Sequence, residues 1–119
     1  MSKEQKQPES PQKDGNINRM SRKEIDLMRI YNRVLITFGI EKQTFMLVEE
    51  CAELLNAVAK MKRARASKDD IITELADVSI MIEQFAFFYG WEEFKEERER
   101  KLKRLEDRIN HHTMKGGEE

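Results

Sequence analysis

Two short acidic runs carry the chemistry in this chain. E-E-C-A-E places carboxylates at Glu49, Glu50 and Glu53, and E-L-A-D places them at Glu74 and Asp77. Both runs lie in apolar, helix-like segments. Carboxylates three and four residues apart project from one helix face. Two such helices packed together would gather four or five carboxylates into one pocket. Like charges at that spacing repel, and a buried carboxylate is costly unless it is paired or bound to a cation. A hard divalent cation, magnesium first, is the simplest occupant. One E-x-x-E on a charged helix is better explained by plain solvation, since such pairs are common by chance. A second motif about twenty residues on is what fits a helix, a short turn and an antiparallel partner helix.

The elements that would position these acids can be read from period and caps. Ser21 with Glu24 forms a capping box, and Ile25, Met28, Tyr31, Val34, Leu35 and Phe38 then recur at helical spacing. Gly39 supplies a stop, which predicts a first helix over about 22–38. A second helix is expected from about Lys42 to Arg63. Val48, Cys51, Ala52, Leu54, Leu55, Val58 and Ala59 cover one broad side of it, and Glu49, Glu50, Glu53, Asn56 and Lys60 lie on the other. Ser67 with Asp70 reads as a second capping box and opens a third helix to about Phe88. There Glu74 and Asp77 fall within or beside the apolar sector, whereas Glu83 points away as an ordinary surface charge. Gly90 ends this helix. Residues 92–110 form a fourth, charge-paired helix with a narrow stripe of Phe94, Leu102, Leu105 and Ile109, suited to a lid, an outer helix or a subunit contact.

E-E-C-A-E, a basic turn and E-L-A-D together resemble the MazG-like, all-α nucleoside triphosphate pyrophosphohydrolases. That family's signature is E-E-x-x-E, a spacer, then E-x-x-D. The resemblance covers roughly residues 22–106 and matches all five acidic positions. It implies an all-α, four-helix MazG-like bundle whose second and third helices form an antiparallel catalytic pair. It implies that Glu50, Glu53, Glu74 and Asp77 hold Mg2+, with Mn2+ as a substitute, and that Glu49 is the base for the attacking water. The expected reaction is Mg-dependent cleavage of a (d)NTP to (d)NMP and pyrophosphate, in nucleotide pool cleaning or control. A phosphoribosyl-ATP pyrophosphohydrolase shares that chemistry. A non-catalytic helical interaction protein with a residual acidic patch is the alternative from another class. Lys60, on the carboxylate side, and then Arg63 are the candidate phosphate contacts, set against an ordinary basic surface turn at even odds. Phe85, Phe88, Tyr89 and Trp91 could stack on a base, but core packing is the simpler reading for each.

Composition narrows the alternatives. The 119 residues suit one small domain. With 22 basic against 23 acidic residues the net charge is -1, so no basic field invites nucleic acid. No apolar run reaches the ~20 residues of a membrane span. The polar N-terminal stretch has no signal core, and Cys51, the single cysteine, fits a reducing compartment, so a cytoplasmic protein is expected. His111 and His112 are adjacent and share no helix face, and no E-x-x-H occurs, which disfavours di-iron and zinc chemistry. Residues 1–20 read as a disordered tail, 21–110 as the domain and 111–119 as a flexible tail. A core this thin, with the narrow fourth-helix stripe, predicts a homodimer or homotetramer, which the resemblance also implies.

Overall fold

The computed structural model describes residues 20–118 of the chain, with side chains as far as residue 115. The expected tail over residues 1–20 lies, apart from Met20, outside the described residues. Among the described residues there are four helices and no strand: α1 (Arg22–Phe38), α2 (Ile40–Lys62), α3 (Lys68–Tyr89) and α4 (Trp91–Glu118). No described helix is long and apolar enough to cross a membrane. The chain divides into two compact units, one reaching Phe88 and the other starting at Tyr89.

Local chemistry explains the helix ends. Ser21 and Glu24 form the reciprocal cap expected of them: the Glu24 amide donates to the Ser21 hydroxyl, and the Ser21 amide donates to the Glu24 carboxylate. Ser67 and Asp70 repeat the arrangement at α3, at 2.9 and 3.2 Å. These bonds satisfy amides that have no partner inside the helix. Gly39 is the sole residue between α1 and α2. Its φ of 87° is open to glycine at little cost, and its amide donates to Leu35. α2 therefore starts at Ile40 rather than Lys42, because one such residue is enough to turn the chain. At the far end of α2, Ala64 adopts a φ of 60°. Its amide donates to the Met61 carbonyl and the Arg65 amide to the Lys60 carbonyl, which is a Schellman closure.

The first unit is held by few fully buried groups. Its apolar core is Tyr31, Ala57, Val78, Met81 and Ala86, joined by the buried amides of Gln43 and Gln84. Tyr31 reaches from α1 to α3, with its ring centroid 5.6 Å from that of Phe87. Its hydroxyl donates to Glu83. Glu83 is thus a half-buried tertiary partner and not the surface charge expected from its position. α2 is also rotated differently from the expectation. The buried or half-buried face carries Gln43, Leu47, Glu50, Leu54 and Ala57, while Val48, Ala52, Leu55 and Val58 are exposed. Of the broad apolar side only Cys51, Leu54 and Ala59 are half-buried, and Glu50 is half-buried with them.

The second unit is α4. Trp91 stacks on Phe94 at 5.5 Å, with the Lys95 ammonium 5.6 Å from the Trp91 ring. Charge pairs one turn apart follow, including Lys101–Glu97 and Lys103–Asp107. The helix runs to Glu118, past the expected end near 110. Residues 111–115 contain no proline or glycine, and nothing there caps the helix earlier.

Candidate metal site

α2 and α3 run antiparallel in the first unit. Gln43, early in α2, bonds to Gln84, late in α3, while Glu50 meets Glu74 and Asp77 further along. This pairing brings one carboxylate oxygen each from Glu50, Glu74 and Asp77 within 4.8 Å of one another. All three residues are half-buried. Oε1 of Glu50 and Oε1 of Glu74 are buried and accept no hydrogen bond. Burial, and then the neighbouring charges of Glu53, Asp77, Glu74 and Glu49, push the Glu50 carboxyl above the ordinary glutamate range. Burial, followed by Glu53, Asp77 and Asp70, does the same for Glu74. Two orphaned anionic oxygens among repelling charges form a donor set suited to a hard cation.

The other sequence-predicted residues are placed around this trio. Glu53 is exposed, yet close enough to raise both Glu50 and Glu74 through its charge. Glu49 is exposed on the flank of α2 and acts electrostatically on Glu50. Lys60 is exposed near the start of α3, where its charge contributes to lowering the Asp70 carboxyl, after the larger effect of the Ser67 hydrogen bonds. Arg63 is exposed as the C-cap of α2. The sequence reading gave no role to Gln43 or Gln84. The available signal was slight: Gln84 follows Glu83 in an otherwise apolar segment, while Gln43 sits among Glu41, Lys42 and Thr44 and nothing local sets it apart. No family model, curated protein or solved structure matches the chain.

Proposed function

We propose that the chain is a cytoplasmic, Mg-dependent nucleoside triphosphate pyrophosphohydrolase of the MazG-like kind, cleaving a (d)NTP to (d)NMP and pyrophosphate. The observation that carries this reading is the convergence of Glu50, Glu74 and Asp77, with the orphaned oxygens of Glu50 and Glu74. Glu50, Glu74 and Asp77, with Glu53 at the rim, would hold the cation. When bound, that ion would screen the triphosphate oxygens and make a neighbouring water a better nucleophile. Glu49 would take the proton of the attacking water. Lys60 and Arg63 would bind outlying phosphate oxygens as cations. Rigid helices set the acids' spacing more closely than loops would.

The reading includes a homodimer or homotetramer. What supports it is the apolar surface of α2: Phe45, Val48, Leu55 and Val58 are 50–71% exposed. Contiguous exposed apolar side chains mark association surfaces in folded proteins.

The test is pyrophosphate release from the eight common ribo- and deoxynucleoside triphosphates, with and without Mg2+. Release that requires the metal and is confined to a subset is expected. A folded chain that binds no Mg2+ and releases no pyrophosphate would overturn the reading in favour of a helical interaction protein.

A further inference from the structure

We propose that the Gln43–Gln84 amide pair is the register pin of the α2–α3 hairpin, holding Glu50 level with Glu74 and Asp77; the inference rests on the metal reading of those acids.

Gln43 and Gln84 are the buried polar side chains among the described residues, 6% and 3% exposed. They bond to each other: Nε2 of Gln43 donates to Oε1 of Gln84 at 2.9 Å. Their spacing from the acids is symmetrical. Gln43 stands seven residues before Glu50, and Gln84 seven residues after Asp77. Seven residues are close to two turns, about 10.5 Å of helix. In an antiparallel pair the two intervals therefore match in length and nearly in rotation. When the amides meet, the acids meet two turns away.

The other inward side chains of these helices discriminate poorly between registers. Leu47, Leu54, Ala57, Val78 and Met81 are buried or half-buried and supply non-directional apolar surface. Sliding α3 by one turn would exchange one such residue for another. It would set Glu50 opposite Met81 or Thr73 in place of Asp77. The amides do discriminate: after the slip both would be desolvated with no partner. A buried polar pair that fixes register is the best-attested use of such groups. Gln43 and Gln84 are accordingly positioning residues, acting on the acids through the helices and not by touching a ligand.

The experiment uses the full chain with Mn2+ as the probe, titrated by calorimetry, alongside metal-free thermal melts. The double variant Gln43→Met/Gln84→Met replaces both amides with apolar side chains of similar length. Its metal-free melting temperature is expected to stay level or rise, because no amide is left buried. Its Mn2+ affinity is expected to fall about tenfold or more. A merely structural role would move both quantities down together, and that result overturns the proposal. So does a folded double variant with unchanged Mn2+ affinity. If the double variant does not fold, Gln84→Met alone decides: weakened Mn2+ binding in a folded chain supports the pin, while unchanged binding or failure to fold overturns it. A wild-type chain that binds no Mn2+ removes the metal reading itself, and this inference with it. Wild-type binding with indifferent variants removes this inference alone.

Discussion

The Tyr31 hydroxyl donates a 2.8 Å hydrogen bond to Glu83, tying α1 to α3 across 52 residues of sequence. Tyr31 is 3% exposed. Burial first, then the bond to Glu83 and that residue's negative charge, hold its phenol far above the ordinary tyrosine range. A hydrogen bond to a charged acceptor contributes more than one between neutral groups. Tyr31→Phe should therefore cost about 1–2 kcal/mol at neutral pH. The pH dependence follows from the raised folded-state pKa. The contribution is fully present below the unfolded value of about 10 and is lost as pH climbs above it. Urea unfolding between pH 8 and 11 checks both points. The wild type should lose stability at the alkaline end more steeply than Tyr31→Phe, and parallel curves would refute the assignment.

The carboxyls of Glu50 and Glu74 are also raised, by burial and then by neighbouring acids. The sign again follows from the folded state holding its proton more tightly. Without metal, their favourable contribution is complete below the ordinary glutamate range and is lost as pH rises through the raised values. At neutral pH the cluster should therefore work against the stability of the apo chain. Glu50→Gln should raise the metal-free melting temperature at pH 7, and this advantage should shrink as pH falls toward 4. A lower melting temperature for the variant at pH 7 would contradict the account.

Catalysis should separate the acids by role. Glu50→Gln and Asp77→Asn should reduce Mg-dependent turnover about a hundredfold or more with helix content intact. Glu49→Gln should reduce the rate while leaving Mg2+ affinity nearly unchanged. Circular dichroism, Mg2+ calorimetry and pyrophosphate release on the same preparations make the comparison. Equal losses of affinity in all three variants would assign Glu49 to the metal rather than to the water.

What could be read from the sequence was what short-range chemistry determines. Ser21 with Glu24 and Ser67 with Asp70 lie three residues apart, so their caps are visible in the sequence and present in the fold. The meeting of Glu50 with Glu74 and Asp77 also follows from local spacing, once α2 and α3 pair in opposite directions. The missed features depend on long-range contacts. Nothing near Glu83 in sequence announces Tyr31, and nothing near Gln43 announces Gln84. Which edge of α2 turns inward was equally hidden. More than half of the helix circumference is apolar, and a unit this small covers only part of it. Period alone then leaves the rotation about the helix axis open: spacing groups Glu50 with the polar side of α2, and only the pairing with α3 shows that it enters the unit.

The uncovered part of α2 has its own consequence. Phe45, Val48, Ala52 and Leu55 follow one another at intervals of three, four and three residues, and all four are exposed. That alternation is the spacing of a helix–helix seam. If a second copy of the chain covers it, charge placed in the middle of the seam should block association. Val48→Glu/Leu55→Glu should sediment as a monomer at concentrations where the wild type is larger. Neither residue belongs to the buried core of the unit, so helix content should be retained. A wild-type chain that sediments as a monomer at micromolar concentration would remove the homo-oligomer from the proposed function.

The turn between α2 and α3 offers a gain of stability. Ala64 occupies the position after the C-cap Arg63, at a φ of 60°, with its amide and that of Arg65 closing on Met61 and Lys60. A residue with a Cβ is strained in this left-handed conformation by about 1–2 kcal/mol, whereas glycine adopts it freely. Glycine loses more backbone entropy on folding, which offsets part of the benefit. Ala64→Gly should therefore stabilise the chain by about 1 kcal/mol. Ala64→Val should do the opposite, because a β-branched side chain is worse still at positive φ. Urea melts of the three chains give the order directly: glycine above alanine, and alanine above valine. Any other order would mean that the Schellman closure does not form at this turn in solution.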